Sequence, residues 1–225
     1  MNIQKQAPYV SLFIIAFYWM YELLTVRNGV VLPNSFSELA VRLLMVKCIH
    51  LGTIALLLWL ERDWHGMGFS VKNYTKQFGM GLLIGLAMFL LFNVGLASIL
   101  NTIFPKPAGA SGILIYFKEP GNLVAWLLIG IFGGGVVEEI MRIFVLTRFE
   151  KQFNQYGLYI ALIISSLVFG LGHLYQGTGA AIATGLSGLV LGVIYIRRRS
   201  AIEVITIHAF SDILAILGAY RLAKG

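Results

Sequence analysis

A chain of 225 residues that is 58% hydrophobic, 12% charged and of mean hydropathy +0.82 cannot hide its apolar surface as a water-soluble domain. Folded chains of this size leave much of their area in solvent, and ordinary soluble domains carry roughly 25% charged residues. A bilayer removes that cost, so the composition points to one integral membrane domain over residues 1–225. The net charge of +7 is spread mostly between apolar runs, where anionic headgroups and topology signals account for it, so no nucleic-acid partner is expected. The single cysteine, Cys48, permits neither an intrachain disulfide nor a cysteine metal cluster and reads as a small buried thiol.

A helix crosses a hydrocarbon core of about 30 Å with about 20 mostly apolar residues. Candidate spans in chain order are Tyr9–Val26, Leu39–Leu60, Phe78–Ile103, Leu123–Phe149, Leu158–Leu174, Gly179–Ile196 and Ala201–Tyr220. The fold class is therefore all-α, a multi-pass transmembrane bundle of about seven spans. The first run is long and aromatic with no small-residue cleavage site, and reads as a retained span rather than a leader. Turn and charge signals separate the runs, among them Glu61-Arg62-Asp63, Pro120-Gly121, Asn154-Gln155 and Arg197-Arg198-Arg199. Gly133-Gly134-Gly135 interrupts the fourth span. Three glycines weaken a helix by roughly 1 kcal/mol each, so a bend or break is expected there. Gly179, Gly185, Gly188 and Gly192 in the sixth span read as a close-packing stripe.

With the N-terminus inside, the inner side carries Lys5, Arg62, Lys72, Lys76, Arg148, Lys151, Arg197, Arg198 and Arg199. The outer side carries Arg27, Arg42, Lys106, Lys118, Arg221 and Lys224. Nine against six favours that orientation.

Ionisable groups inside spans are costly and read as functional by default. Glu138, Glu139, Arg142, His173, His208 and Asp212 concentrate in the later spans. Glu138 and Glu139 stand four and three residues before Arg142, so either acid can touch it on a helix. One arginine pairs only one of them well, which leaves the other to bind a metal or water or to take a proton. His208 and Asp212 are i and i+4, a natural Zn²⁺ ligand pair or a carboxylate-oriented imidazole. Taken one at a time, the Arg–Glu clamp and a hydrogen-bonded packing role for His173 are the structural alternatives. Together the set supplies ligands, a base and an open water position, as metal-assisted hydrolysis requires. Glu22, Arg42, Lys47 and His50 are assigned structural roles, Glu22 pairing with Lys47 or Arg42.

The order Glu138-Glu139 with Arg142, Phe169 with His173, and His208 with Asp212, each in an apolar run, resembles the CPBP family. These are the CAAX-prenyl endopeptidase and bacteriocin-processing intramembrane metalloproteases, also called the Abi family. The likeness runs from about Gly130 to Leu217 and extends to stretches such as Phe169-Gly170-Leu171-Gly172-His173. It implies a helical membrane bundle with an internal polar site. Glu138 would activate the water, supported by Glu139 and Arg142. His173, His208 and Asp212, with Glu138, would hold a divalent metal, Zn²⁺ foremost, or stabilise the oxyanion. The family pattern places three residues between the acid pair and the arginine, and here there are two. Alignment on the acid pair keeps Glu138 as the base; alignment on Arg142 puts Val137 there instead.

Straight spans would set Glu138 and His173 at different depths, and a break at Gly133–Gly135 would remove the conflict. The expected function is an intramembrane endopeptidase acting on a membrane-associated peptide or protein, in the membrane of a prokaryotic cell, with no oligomeric state implied. An ion-coupled transporter, or a scaffold with a degenerate protease site, would use the same buried groups differently.

Overall fold

The computed structural model describes residues 3–28, 33, 35–104, 116–117 and 119–224, with side chains described from residue 7 onward except 22 and 25–28. The side chains of Lys5, Glu22, Arg27, Lys106 and Lys118 thus lie outside the described set. Every regular element among the described residues is helical. The main helices are α1 (Ile3–Asn28) and α2 (Phe36–Glu61), then α3 (Tyr74–Ile103), α4 (Asn122–Gly172), α5 (Thr178–Arg198) and α6 (Ala201–Lys224). The five from α2 to α6 are long and apolar enough to cross a membrane, and α1 contributes a shorter apolar stretch, Ala7–Tyr21.

Helix α4 is 51 residues long, and it folds back on itself. Phe153 (φ −128°) and Asn154 (φ 56°) leave helical geometry, as asparagine does more readily than most residues. The expected boundary at Asn154-Gln155 therefore holds as a corner. The two arms then pack antiparallel. The Arg142 guanidinium of the first arm lies 4.6 Å from the Phe169 ring of the second, and Leu146 and Leu162 both border Gly192. At the corner only a glycine fits position 157, because a Cβ there would fall 2.5 Å from both Phe149 O and Phe153 Cβ.

This hairpin settles the depth conflict in a way the sequence reading did not. Glu138 stands sixteen residues before Asn154 and His173 nineteen after it, so the two arms return both residues to nearly the same level. No break at Gly133–Gly135 is needed, and none occurs. Residues Gly130–Glu138 form a π-helical stretch that runs on into regular helix, a device common near functional sites. The glycines serve contact with α6 instead. A Cβ at Gly135 would fall 2.5 Å from Ala209 Cβ and 2.8 Å from its Cα, so the backbones meet there. At Gly133 a Cβ would find only ordinary contact, 3.6 Å from Lys47 Cγ. Gly135→Leu is accordingly expected to lower the thermal unfolding temperature in detergent, on the scale of about 1–3 kcal/mol for overpacking. Gly133→Ala, two residues earlier in the same run, should leave it unchanged.

The α5 stripe packs as read. A Cβ at Gly170 would lie 2.7 Å from Ala181 O and 3.0 Å from Gly185 Cα. Ile143, Leu146, Tyr195, Val204 and Ile207 are fully buried between the helices. Phe13, Val41, Leu83, Val124 and Leu167 turn outward, the inverted surface that a lipid environment accepts. Cys48 belongs to that outward face: it is exposed, not buried as expected, since its position on α2 faces away from the bundle.

One end of the bundle is tied by charge. Arg148 donates to Glu61 Oε2 at 2.8 Å and to Asp63 Oδ2 at 2.6 Å, and Ser11 of α1 also donates to Glu61. Arg148 and Glu61 side chains are each 1% exposed. Arg148 was counted among headgroup-facing topology charges; the corner at Asn154 instead brings it inward against the end of α2.

Candidate active site

The first arm of α4 and the middle of α6 supply most of the site. Glu139 is fully buried and accepts from Arg142 Nε at 3.2 Å on both oxygens. The two-residue gap thus closes an i,i+3 pair, despite being shorter than the family pattern. The Arg142 guanidinium rests on the Phe169 ring and borders Gly188, where a Cβ would fall 2.9 Å from Nη1. The α5 stripe therefore makes room for this arginine, a supporting role the packing reading did not extend to the site.

Glu139 Oε1 also lies 2.8 Å from His208 Nδ1. A carboxylate already paired with arginine is an acceptor, so the ring proton is assigned to Nδ1. His208 Nε2 then faces Glu138 Oε2 at 3.9 Å and Asp212 Oδ1 at 3.7 Å. His173 Nδ1 is 2.8 Å from the carbonyl of Phe169, which can only accept, so this ring too presents Nε2 outward. The Phe169 ring stands between the imidazoles, 4.8 Å from His173 and 5.9 Å from His208 by centroid. Asp212 meets the π-helical stretch where a Cβ at Gly134 would collide with its carboxylate. Five of the six predicted residues, Glu138, Glu139, Arg142, His208 and Asp212, are linked by these short contacts; His173 joins them through Phe169.

Glu138, rather than Val137, is the acid turned toward His208. Val137 is fully buried, while the Glu138 carboxylate stands between α6 and α2. There the structure adds a residue that was assigned a structural role: Lys47 Nζ donates to Glu138 Oε1 at 2.5 Å. Arg42 pairs with Glu38 one turn away, also at 2.5 Å; a pairing of either basic residue with Glu22 lies outside the described residues. The available signal was a lysine in the middle of an apolar run. His50, one turn after Lys47, holds its ring 4.5 Å from Tyr18 edge to face.

Beyond His173 the chain forms a short 3₁₀ turn, Leu174–Gln176. The Tyr175 ring stacks 6.0 Å from His173 and its hydroxyl accepts from Gln176 at 2.8 Å. Burial pushes the Tyr175 phenol above its ordinary pKa, so it remains a neutral donor beside the imidazole.

The donor set does not fit a divalent metal as arranged. Among the described residues no group of three or more His, Cys, Asp and Glu side chains is gathered to hold one. The Lys47 ammonium also bonds the very carboxylate that would have to ligate the ion, and two cations on one carboxylate repel.

Glu138, Glu139, His208 and Asp212 thus cluster between helices of membrane-crossing length. The model of the Rce1-like family, type II CAAX prenyl endopeptidase Rce1-like, matches residues 120–214, which contain all six predicted residues. Over that segment the chain is similar to the CAAX prenyl endopeptidases that the family model describes. No curated protein and no solved structure matches the chain. Helices α1–α3 lie outside the matched segment.

Proposed function

We propose that the chain is an intramembrane endopeptidase of the CAAX type in which Glu138 activates the attacking water. The observation that carries this reading is the convergence of Glu138 Oε2 and Asp212 Oδ1 on one nitrogen, His208 Nε2, at 3.9 and 3.7 Å. Such spacings are too long for direct hydrogen bonds and suit a bridging water. In this mechanism Glu138 takes a proton from that water as its oxygen bonds to the scissile carbonyl carbon. The same proton then passes to the leaving amine as the C–N bond breaks. His208 and His173 turn Nε2 toward the same gap, where an imidazolium Nε2–H would hold the developing oxyanion. Glu139 and Arg142 hold His208 from behind, and the Phe169 ring keeps the two imidazoles apart.

The divalent metal expected from the sequence, Zn²⁺ foremost, would need His173, His208, Glu138 and Asp212 gathered more closely than they stand here; no step above is routed through it, and metal content of the purified protein tests it. The reading of seven passes counts the two arms of α4 separately and α1 as one pass. The substrate on this reading is a membrane-associated peptide, prenylated near its C-terminus as the family's name describes.

The test is hydrolysis of a farnesylated CAAX peptide by full-length protein in proteoliposomes. Cleavage of the peptide is expected. No cleavage, together with a substrate-dependent ion flux in the same vesicles, would replace the peptidase by a transporter.

A further inference from the structure

We propose that Lys47 of α2 is a positioning residue of this site, the fixed cation that aims the Glu138 carboxylate at the reacting water; the role rests on the peptidase reading above. Ninety-one residues separate Lys47 from Glu138, and Nζ lies 2.5 Å from Oε1. The two side chains are 18% and 19% exposed. Long basic side chains in spans ordinarily extend to the membrane surface, whereas this one turns inward. Its stem passes over Gly133, with Cγ and Cε 3.6 and 3.7 Å from where a Cβ would lie. The lysine stem therefore runs along the π-helical stretch at a distance that would still admit a Cβ.

The consequence is geometric. A free carboxylate can rotate about its last torsion and offer either oxygen. With Oε1 held by the ammonium, Oε2 is the oxygen left facing His208 Nε2 at 3.9 Å. The ammonium of α2 thus holds one oxygen of the carboxylate, and the other faces α6 across a gap of 3.9 Å. Residues 120–214 carry the family match, and Lys47 lies outside them. The peptidase centre is therefore not complete within the matched segment; α2 closes it.

A structural ion pair would predict lost stability and nothing specific to turnover. The experiment measures kcat, KM and thermal unfolding for wild type, Lys47→Met, Lys47→Gln and Lys47→Arg, using the farnesylated CAAX peptide in proteoliposomes. For the two neutral variants kcat is expected to fall on the order of tenfold to a hundredfold, the scale of a misplaced catalytic group. KM and the unfolding temperature should stay near wild type. Ethylammonium added to the vesicles should restore part of the Lys47→Met rate, and Lys47→Arg should retain most of it. Wild-type kcat in the neutral variants, with an active wild type, would overturn the role of Lys47 alone. So would a loss that follows unfolding in both neutral variants and is not rescued by amine. An inactive wild type would overturn the peptidase reading and this role with it.

Discussion

Glu138→Gln is expected to lower peptide turnover by about 10²–10⁴-fold, the usual worth of a general base, without disturbing the fold. Glutamine keeps the shape of the side chain and a carbonyl oxygen that can still accept from Lys47, so the 2.5 Å contact to α2 has a neutral substitute. What glutamine cannot do is take a proton from water. The loss should therefore fall on kcat, with KM little changed, because the carboxylate acts on the water rather than on the bound peptide. Glu139→Gln makes a useful contrast. Its carboxylate faces Arg142 and His208 Nδ1, so it acts by holding the imidazole, and a smaller deficit follows. Circular dichroism and detergent melting on the same preparations would separate lost chemistry from lost structure.

Arg148→Ala is expected to cost about 3–5 kcal/mol of stability, the range for removing one member of a buried ion pair. Its guanidinium bridges Glu61 and Asp63 at 2.8 and 2.6 Å and lies 5.0 Å from the Phe144 ring. Glu61 also accepts from Ser11, so truncation would leave a buried carboxylate facing α1, α2 and the corner of α4 with only the half-exposed Lys151 ammonium, 3.9 Å away, to balance it. Arg148→Lys should recover only part, because Nη1 serves both carboxylates while Nη2 also reaches the Asp63 carbonyl at 3.5 Å, a contact that a lysine lacks. The clamp also has a pH signature. Burial works to raise the Asp63 pKa, but hydrogen bonding and charge from Arg148 and Lys151 outweigh it and hold the carboxyl below its ordinary value. A group depressed in the folded state contributes stability above its unfolded pKa and loses it as pH falls through the folded one. Acid should therefore weaken wild type more steeply than Arg148→Ala. Thermal melts of both proteins across the acidic range check this.

The helical runs and the six polar residues could be read in the sequence because hydropathy and rare intramembrane charge are local signals. Asn154 announced its corner by composition, yet its consequence did not follow from composition. That the chain doubles back there, bringing Glu138 level with His173, depends on how the two arms pack, and similar counts of residues on each side of the turn were the only hint. The glycines at 133–135 misled in a related way. Propensity treats glycine as a helix breaker, whereas Gly135 here faces Ala209 and the helix survives by taking π-helical turns. Small residues that weaken an isolated helix strengthen a contact between two. Lys47 and Arg148 looked like surface or structural charges because a sequence shows how far a basic residue lies from a span end but not which way it turns. Cys48 failed for the same reason: an apolar run in a membrane protein has an outward face, and a thiol can stand on it.

The account depends on Glu138 and His208, seventy residues apart in the chain, acting together on one bond. A double-mutant cycle of peptide cleavage in proteoliposomes, with Glu138→Gln, His208→Asn and the pair, measures this directly. The prediction is that the double variant is no slower than the slower single one, as for groups that work as a unit. Losses that multiply in the double variant, or a His208→Asn enzyme with wild-type turnover, would contradict it.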